Sequence, residues 1–313
     1  MKIFIAGATG VLGRSLVEQF VGRGHTVLGL ARSDEGKQLL QRLGGESREA
    51  DMFDADALAR AAEGAEVIIH AATSIPVKTR TKPADWEMND RLRRDGTRAL
   101  SSCAAKTGAR LYLQQSIVWL ARPSDGSFFD EDGAPNPDAV TRSALDAEKI
   151  ALEAAERSGF KTSVLRCGYF YGPDSAHTHM FGEGLIKRKI PIVGSGRAHL
   201  ANIHTEDAAR AFVTAAEGDK SGVWHVVDNE SVAVEEFMNY FAGRLGAPKP
   251  RHVPVWLARL IAGSYAASFF TQSTLTSNAR FRQAFGWSPK YPSYREGLDQ
   301  VVSEWKASSL FGL

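Results

Sequence analysis

Three glycines near the N-terminus have the spacing of a phosphate-binding turn. In the stretch IAGATGVLGRSL, Gly7, Gly10 and Gly13 stand between a short apolar run and an amphipathic helical pattern over 11–23. Gly7 allows a tight turn, Gly10 allows the backbone to approach a pyrophosphate, and Gly13 allows close packing of a helix whose first amides face the anion. Because strand, turn and helix agree, the pattern favours a dinucleotide site over a purely structural glycine turn.

The end of the second apolar run indicates which dinucleotide is bound. There the chain continues with Ala31, Arg32, Ser33 and Asp34. An acidic residue directly at the strand end binds a ribose 2′-hydroxyl, whereas a cation followed by a hydroxyl suits a 2′-phosphate. We therefore expect Arg32 and Ser33 to select NADP(H). In the alternative, Arg32 is solvated and Asp34 holds the ribose of NAD(H).

A fold that brings the ends of several strands together would position these residues. The first half of the chain has the alternation of strands and helices that such a fold requires. Short apolar runs alternate with helical patterns: the runs are KIFIAG, HTVLGLA, AEVIIHAA, RLYLQQS and TSVLRCG, and the helices lie over 11–23, 34–43, within 84–106 and within 141–158. Parallel strands joined by right-handed crossovers produce this alternation, and strands covered on both faces are nearly continuously apolar. The sequence predicts an α/β fold with a Rossmann-type, doubly wound parallel sheet.

The pattern changes after residue 173, where short helices and proline-containing loops begin. The segments HLANIHTEDAARAFVTAAE and GVWHVVD then return to the sheet pattern. We predict a Rossmann NAD(P)-binding domain of residues 1–173 and 198–228, and a smaller, discontinuous C-terminal substrate domain of residues 174–197 and 229–313. The ligand cleft is expected at their junction, because α/β folds bind ligands beyond the carboxyl ends of the strands.

Composition and charge exclude several classes of partner. The 313 residues include 38 Lys plus Arg and 36 Asp plus Glu, which gives a formal charge of +2 without a basic block. We therefore expect a small-molecule substrate, no nucleic acid and no membrane. Cys103 and Cys167 show no metal-ligand spacing, so no metal site is predicted, and a reducing cytoplasm is the expected location. Arg259 interrupts the apolar stretch 253–270, which we interpret as a helix beside a pocket.

A series of short motifs runs along almost the whole chain. They are GATGVLG at 7–13, ADMFD at 50–54, HAAT at 70–73, DGTRAL at 95–100, QSIVWL at 115–120, LRCGYFYGP at 165–173, IHTEDAARA at 203–211, VVDNE at 226–230 and FGWSPKYPSYREGL at 285–298. In this order they resemble the extended short-chain dehydrogenase/reductase family, in its NAD-dependent epimerase/dehydratase branch. Several motifs are loose individually, but their joint order is specific.

The resemblance implies a cofactor site and a homodimer. Asp51 would accept a hydrogen bond from the adenine amine, with Met52 beside the ring, and the CGYFYGP loop would pass the nicotinamide. Family members commonly pair through the helices that are predicted here within 84–106 and 141–158. The implied cofactor contacts are Gly7, Thr9, Gly10, Val11, Leu12, Gly13, Arg32, Ser33, Asp51, Met52, Ala71, Ala72, Thr73, Ser116 and Cys167.

The acid-base pair of the family is absent from this sequence. In the family, a tyrosine exchanges the carbonyl proton and a lysine four residues later lowers its pKa, a spacing that puts both on one helix face. With Glu148 as the anchor of the comparison, Val140 and Ala144 occupy these positions, and none of the seven tyrosines is followed by lysine four residues later. General acid catalysis contributes about a hundredfold to ten-thousandfold, so its loss would slow a carbonyl reduction rather than forbid it.

Other side chains are candidates for proton donation or substrate contact. Tyr169 and Tyr171 lie on the loop expected beside the nicotinamide, and His177 lies on the segment expected to cover the substrate. Ser116 falls where the family hydrogen-bonds the substrate oxygen. Each has a structural alternative: the tyrosines pack, the histidine is solvated, and the serine bridges backbone groups. An aromatic stripe is either second-domain core or an apolar substrate wall, and it comprises Trp256, Tyr265, Phe269 and Phe270.

These observations leave three functions open. The first is an atypical NADP(H)-dependent oxidoreductase that transfers a hydride to or from an apolar small molecule, such as a conjugated alkene, an iminium or a quinone-like ring, without the Tyr/Lys pair. The second is a non-catalytic NAD(P)-binding sensor or scaffold. The third is an isomerase, lyase or cyclase that reuses the cleft, with Asp130, Glu131 and Asp132 or the histidines as acid-base groups. The cofactor signature beside the lost pair favours the first.

Overall fold

The computed structural model describes residues 1–78 and 80–312. Its strands are β1 (Lys2–Ala6), β2 (Thr26–Leu30), β3 (Glu46–Arg48), β4 (Val67–His70), β5 (Leu111–Ile117), β6 (Lys161–Cys167), β7 (Tyr169–Tyr171), β8 (Ile192–Val193), β9 (His199–Leu200), β10 (Asn202–His204), β11 (Gly222–Val226), β12 (Val232–Ala233) and β13 (His252–Val253). Seven of them form one parallel sheet in the order β11-β6-β5-β4-β1-β2-β3. The predicted Rossmann-type doubly wound sheet is confirmed.

Helices connect these strands and continue into the C-terminal part of the chain. They are α1 (Val11–Gly22), α2 (Asp34–Arg42), α3 (Ala55–Ala61), α4 (Glu87–Arg91), α5 (Thr97–Thr107), α6 (Arg142–Ser158), α7 (Ala176–Ile186), α8 (Thr205–Gly218), α9 (Val234–Arg244), α10 (Val255–Phe269), α11 (Ala279–Phe285) and α12 (Tyr294–Ala307). A π-helical turn over Leu92–Gly96 joins α4 to α5, and 3-10 turns cover Pro83–Trp86, Val118–Ala121 and Leu310–Gly312.

The two faces of the sheet bury two separate apolar layers. Side chains alternate along β1, so that Ile3 and Ile5 join one layer while Phe4 joins the other. Phe20 of α1 and Phe212 of α8 close the first layer. Side chains of α3, α5 and α6 close the second. This is the layered packing that a parallel sheet requires, because both of its faces must be covered.

Helix α1, which follows the glycine loop, is held by a late part of the chain. Gln19 Nε2 donates to the carbonyl of Glu206 at 2.9 Å, across 187 positions of sequence. Arg23, which directly follows α1, pairs with Glu217 at 2.7 Å. The C-terminal part of α1 is therefore bonded to both ends of α8.

Strand β3 was not predicted from the sequence. It pairs in parallel with β2, Leu28 beside Glu46 and Leu30 beside Arg48, at the edge of the sheet. Its residues Glu46, Ser47 and Arg48 include no apolar side chain. An edge strand that buries little apolar surface leaves no periodic signal in the sequence.

A further apolar cluster lies outside the sheet and is formed mainly by α7, α9 and α12. It includes Phe237, Phe241, Leu298 and Trp305. Three two-stranded pairings accompany it, β7 with β10, β8 with β13, and β9 with β12. The cluster draws on the two segments assigned to the substrate domain, and the boundaries predicted for the two domains stay a prediction.

The apolar stretch 253–270 forms β13 and α10. Gly263, with φ 87° and ψ 164°, interrupts the helix, and Trp256, before the break, is 67% exposed. Tyr265 and Phe269, after the break, face the interior and are half-buried. No helix within residues 1–78 and 80–312 is long and apolar enough to cross a membrane.

Candidate cofactor and substrate site

A cavity of about 970 Å³ opens at the carboxyl ends of the central strands. Gly7 follows β1, Ala71 follows β4, Ser116 lies near the end of β5 and Cys167 ends β6, and all four line the cavity. The volume is at the upper end of the range of about 300–1,000 Å³ for small-ligand pockets. Doubly wound sheets bind dinucleotides at this edge, so the cavity lies where a cofactor is expected.

The glycine loop forms a cradle that side chains would fill. Gly7 has φ 91°, and a Cβ at this position would lie 2.5 Å from the carbonyl carbon of Ala71. A Cβ on Gly13 would lie 2.0 Å from the carbonyl oxygen of Gly7. Gly10 is the N-cap of α1, and no side chain of the described residues caps this helix end. The first-turn amides are therefore available to an anion, and the loop fits a pyrophosphate.

Most residues expected to contact the cofactor line the cavity. Gly13 does not, because it packs within the turn. Ser33 and Asp51 lie on exposed segments beside the lining. The contacts of all these residues with a cofactor stay predictions. Those that line the cavity are Gly7, Thr9, Gly10, Val11, Leu12, Arg32, Met52, Ala71, Ala72, Thr73, Ser116 and Cys167.

The rim beside β2 presents a guanidinium rather than a carboxylate. Arg32 is exposed and lines the cavity. Ser33 caps α2, since its Oγ accepts a hydrogen bond from the Gly36 amide at 3.1 Å. Asp34, the alternative ribose ligand, lies 3.7 Å from Lys37 Nζ in the first turn of α2. The charge at this rim is thus suited to a phosphate group.

A buried histidine at the end of β4 forms a hydrogen bond to the π-helical turn, on the side of the cavity where the cofactor is expected. His70, the last residue of β4, donates from Nε2 to the carbonyl of Leu92 at 3.1 Å. Burial lowers the pKa of His70 to about 4, so the ring is neutral at neutral pH. A Cβ on Gly96 would lie 2.9 Å from Met52 Cε and 3.4 Å from His70 Nε2. The turn therefore packs directly under the expected adenine side of the cavity.

Ser116 belongs to a buried chain of polar side chains. Its hydroxyl donates to Glu148 Oε1 at 2.5 Å, and Glu148 accepts hydrogen bonds from Arg166 Nε at 2.9 Å and Nη2 at 2.7 Å. All three side chains are buried. Because the Ser116 hydroxyl already donates its hydrogen bond to the Glu148 carboxylate, only its oxygen lone pairs remain, as acceptors, toward the cavity.

The two positions at which the sequence predicts the family's acid-base groups, with Glu148 as anchor, carry apolar side chains. Ala144 is buried and packs in a cluster with Ile117 and Leu120. Val140 stands just before α6, and its carbonyl accepts a hydrogen bond from Arg93 Nη1 at 3.3 Å. A guanidinium therefore lies beside the turn where the resemblance would place a phenol.

The two tyrosines of the nicotinamide-side loop have different surroundings. Tyr169 lines the cavity, and its ring packs against Phe181 and Phe269 at centroid distances of 6.4 and 5.8 Å. Burial raises the pKa of Tyr169. Tyr171 is buried away from the lining, and its hydroxyl donates to Asp228 Oδ2 at 3.0 Å. The structure thus brings Tyr169, but not Tyr171, to the cavity.

The two histidines at the start of α7 have different surroundings, and only one of them lines the cavity. His177 lines the cavity, and burial lowers its pKa, so the ring is neutral at neutral pH. His179 is hydrogen-bonded through Nε2 to the carbonyl of Pro173, and its ring packs against Trp305 at 4.9 Å. Of the pair, His177 is the one positioned to contact a ligand in this cavity.

One side of the cavity is an aromatic wall made of Trp86, Trp119, Tyr169, Tyr265 and Phe269. The ring of Tyr265 lies 5.4 Å from Trp86 and 6.4 Å from Phe269, between centroids. Trp119 meets Phe269 edge-on at 5.4 Å. Rings in mutual contact form a rigid apolar surface, which suits a planar conjugated ligand.

Part of this wall belongs to the aromatic stripe that the sequence predicts. Tyr265, Phe269 and Phe270 line the cavity, whereas exposed Trp256 does not. Trp119 lies two residues after the end of β5, so the rule that strand ends carry ligand contacts could have found it. Trp86 lies in a 3-10 turn and meets Tyr265 through long-range packing. No local sequence signal marks Trp86.

The sequence is similar to a defined family and to named enzymes. The model of the NAD-dependent epimerase/dehydratase family matches residues 3–227. A 3-diazoavenalumate denitrifying reductase from Streptomyces sp is 33% identical over 309 residues, which covers 95% of this chain and 99% of that protein. A ceramide reductase from Caulobacter vibrioides is 31% identical over 251 residues, which covers 80% of this chain and 72% of that protein.

Solved structures show the same fold. DesIV, a dTDP-glucose 4,6-dehydratase from Streptomyces venezuelae solved with NAD and TYD bound, superposes with a TM-score of 0.81 at 20% identity, covering 99% of this chain and 98% of that one. The human epimerase family protein SDR39U1 (isoform 2), solved with NADPH, superposes with a TM-score of 0.80 at 18% identity, covering 97% and 99%. Proteins of this fold therefore hold NAD in one case and NADPH in the other.

Proposed function

Because the chain belongs to the NAD-dependent epimerase/dehydratase family, we propose that it is an atypical NADP(H)-dependent reductase that transfers a hydride to an aromatic small molecule without a proton donor from the protein. The family and the reductases among its relatives support an oxidoreductase-type activity. The choice of NADP(H), the acceptor and the lack of a protein proton donor are proposed from the side chains around the cavity.

The observation that carries this proposal is the apolar pair Val140 and Ala144. Reduction of a carbonyl leaves an alkoxide that must gain a proton, and the family's tyrosine serves that step. The hydroxyl of Ser116 donates its hydrogen bond to Glu148 rather than into the cavity. Burial raises the pKa of Tyr169, which makes it a weaker acid. The site therefore suits an acceptor whose reduction leaves no charge on oxygen.

An arenediazonium ion is an acceptor of this kind. When bound, the reduced nicotinamide supplies the hydride and is itself oxidised. The ring carbon gains the hydride with its electron pair, the C–N bond breaks, and that bond's electron pair leaves with N₂. The positive charge of the diazonium cancels the negative charge of the hydride, so arene and N₂ form without a proton. The relative at 33% identity is named as a denitrifying reductase of a diazo compound, which supports this acceptor class.

The proposed cofactor is NADP(H). Arg32 lines the cavity at the rim beside β2, and Ser33 follows it at the start of α2. A guanidinium makes strong charge-assisted hydrogen bonds to a phosphate, so Arg32 would favour the 2′-phosphate over a free hydroxyl. The glycine loop would hold the diphosphate in either dinucleotide.

The remaining side chains position the reactants. The aromatic wall would hold the acceptor ring flat, and its apolar rings would exclude water from the path of the hydride. Ser116 would accept a hydrogen bond from a polar hydrogen of the bound ligand, because Glu148 and Arg166 fix its orientation. His177, neutral and beside the cavity, would contact the acceptor without adding a charge.

Assembly and location belong to the same proposal. A homodimer would form through α4, α5 and α6, which cover the two helical segments that pair in relatives of this family. Cys103 and Cys167 are free and buried, which is compatible with a reducing cytoplasm. Sedimentation with and without NADPH separates a reductase from a sensor, because a sensor requires the association state to change with the cofactor.

The decisive experiment follows the transfer of deuterium from the cofactor to the product, in addition to the absorbance of NADPH. The protein is mixed with 4-carboxybenzenediazonium and with NADPH that carries deuterium at the transferred position, and the benzoate formed is analysed by mass spectrometry. We expect one deuterium in the product from the labelled cofactor and none from D₂O when the cofactor is unlabelled. A reaction without protein corrects for the spontaneous reduction of the diazonium ion.

Aromatic ketones and enones of similar size provide the comparison in the same assay. Reduction of a ketone at a rate equal to or above that of the diazonium ion would contradict the proposed mechanism and favour an ordinary carbonyl reductase. Absence of protein-dependent NADPH oxidation with every acceptor would favour the sensor. Product formation that needs the cofactor but transfers no deuterium would favour an isomerase or lyase.

A further inference from the structure

Three segments that border the cavity carry basic residues without acidic ones. Residues 71–82, 187–197 and 247–262 contain ten Lys and Arg and no Asp or Glu, whereas the whole chain has 38 basic and 36 acidic residues. We propose that the exposed basic side chains of these segments, together with Val77, Trp256, Leu260 and Ile261, form a docking face that binds the surface of a membrane containing anionic lipids.

The three segments meet at an opening of the cavity. Exposed residues from each of them line it, so the cavity reaches solvent between them. They are Val77, Lys78, Lys187, Lys189 and Ile261. The second and third segments are joined by the pairing of β8 with β13. The first lies against α10, because a Cβ on Gly263 would lie 3.8 Å from Arg80 Cγ. The docking face therefore surrounds one mouth of the cavity.

Most of the positive charge on these segments has no partner within the protein. The contacts with carboxylates are Lys78 with Asp85 at 2.6 Å, His252 with Glu235 at 3.4 Å, and Lys187 with Glu183. Every other Lys and Arg of the three segments is exposed, and none forms an ion pair with a carboxylate of residues 1–78 and 80–312. Arg80, Lys189, Arg251 and Arg259 are among them. Anionic lipid headgroups would supply the counter-charge.

The first part of α10 presents large apolar side chains to solvent among these charges. Trp256 is 67% exposed, Leu260 is 65% exposed and Ile261 is 58% exposed. Trp256 and Leu260 are four residues apart and so lie on one side of the helix, and Arg259 is exposed beside them. Tryptophan and aliphatic side chains next to basic ones are typical of helices that lie in a membrane interface, with the indole ring at the level of the headgroups.

A lipid surface fits this docking face better than a protein partner does. Two copies of the chain that met through it would place like charges opposite each other, which is repulsive. A soluble acidic protein would match the charge but has no need of the exposed apolar side chains. An anionic membrane surface matches both. The binding would be peripheral, since no helix of the described residues is long and apolar enough to span a bilayer.

The sequence contains no basic block, and no membrane partner was expected from it, because the charges come from three separate segments. Residues 71–82 and 247–262 are far apart along the chain. The fold brings them together through the pairing of β8 with β13 and the contact at Gly263. The docking face is thus a tertiary feature that composition does not register.

Vesicle flotation tests the proposal and needs neither cofactor nor turnover, so failure of the proposed reaction leaves it unaffected. The full chain is mixed with vesicles of phosphatidylcholine alone, or of phosphatidylcholine with phosphatidylglycerol. We expect binding to the phosphatidylglycerol vesicles to be about tenfold or more tighter, because the basic side chains meet negative headgroups only there. In about 0.5 M NaCl most of this preference should be lost, because salt screens exposed charges.

Variants separate the apolar from the basic contribution. The double variants Trp256→Ser with Leu260→Ser, and Arg251→Glu with Arg259→Glu, should each weaken binding to phosphatidylglycerol vesicles by about tenfold or more. Matched controls lie outside the docking face: Phe128→Ser changes a side chain that is 61% exposed, and Arg42→Glu reverses an exposed charge at the end of α2. Both controls should bind the vesicles like the native chain. Unchanged thermal unfolding shows that each variant is folded.

Three outcomes overturn the proposal. The first is a native chain that binds neither kind of vesicle, or binds both equally. The second is full vesicle binding by the double serine variant, which would show recognition of charge alone and favour a soluble acidic partner. The third is a native chain that ignores vesicles and sediments as a dimer, which the double serine variant converts to a monomer. A second copy of the chain would then be the occupant.

Discussion

The two ends of the cavity are built by different means. The cofactor end is made of backbone, and Gly7 and Gly13 stand where a Cβ would lie 2.5 Å or less from neighbouring backbone atoms. Consecutive residues 7–13 supply it. The aromatic end is made of side chains, and Trp86, Trp119 and Tyr265 come from segments far apart in the sequence. The cofactor end depends on positions without side chains, and the aromatic end depends on large side chains that the fold brings together.

The difference follows from the ligands that each end would bind. A diphosphate is held by backbone amides, which almost every residue possesses. The sequence of the loop is therefore constrained mainly by the need to keep side chains away from the diphosphate. An aromatic acceptor is recognised by side-chain shape and charge, so the constraint falls on tertiary packing. Variants at the two ends should therefore fail in different measurements.

The largest expected effect is at the glycine loop. Gly7→Ala should weaken NADPH binding by at least about a hundredfold, because the added methyl meets the backbone of Ala71 and the backbone has φ 91°. Gly22→Ala, near the end of the same helix, meets nothing within 4 Å and should change the affinity by less than about twofold. Isothermal titration measures both affinities. An affinity of Gly7→Ala within about tenfold of the native value would contradict the account of the loop.

The next effect concerns the rim of the cofactor end, which uses a side chain. Arg32→Ala should weaken NADPH binding by about tenfold to thirtyfold and leave NADH binding nearly unchanged, because one charge-assisted contact to the 2′-phosphate is lost. Arg42→Ala removes an exposed charge from the end of α2, away from the cavity, and is the matched control. Equal losses for the two dinucleotides would show that Arg32 does not read the phosphate.

Acid should destabilise the cofactor end through His70. Its folded-state pKa of about 4 lies below the ordinary value of 6.5, so the unfolded chain binds more protons between these values. Stability is therefore fully present above about pH 6.5 and falls toward pH 4, by about 1.4 kcal/mol per pH unit for this group. His204 and His225 add slopes of the same sign, since burial lowers their pKa values to about 4 and about 3.

His70→Gln isolates the contribution of His70, because its amide can still donate to the Leu92 carbonyl. Urea unfolding at about pH 7 and about pH 5 should show a shallower pH dependence in this variant than in the native protein, by roughly the slope of one histidine. Identical slopes in the two proteins would show that His70 is already protonated or solvated when folded.

The smallest effect is expected at the aromatic end. Tyr169→Phe should change the single-turnover rate of diazonium reduction by less than about threefold, with no new pH dependence, because no proton is needed. A proton-donating tyrosine would instead lose about a hundredfold or more. A loss of that size would identify Tyr169 as the donor and overturn the hydride-only mechanism. Rapid-mixing absorbance of NADPH measures the rate directly.

Sequence patterns predicted the doubly wound sheet and most of the residues that line the cavity beside the glycine loop, for a local reason. The apolar runs, the helical periods and the glycine spacing are all carried by neighbouring residues. Strand β3 escaped prediction because its side chains are polar and its pairing at the sheet edge is backbone only. The glycine motif lies between β1 and α1, at the carboxyl end of the strand, and this position predicted the edge of the sheet at which the cavity opens.

The aromatic end was only partly predictable. The stripe containing Tyr265 and Phe269 was found, but Trp256 was included because helical periodicity does not register the break at Gly263. Trp86 reaches the cavity through packing against Tyr265, which is distant in sequence. The orientation of the Ser116 hydroxyl depends on hydrogen bonds that involve Glu148 and Arg166. The spacing of these residues along the chain does not predict those hydrogen bonds.

The packing of α1 against α8 has a consequence for biosynthesis. Gln19 finds its partner Glu206 only after 187 further residues have been added. At about 5–20 residues per second, the ribosome takes roughly 10–40 s to make that span. During this interval α1 lacks the helix against which its C-terminal part packs in the complete fold. The dinucleotide cradle therefore matures late in translation, and a chain that stalls before α8 would present the motif without the pocket.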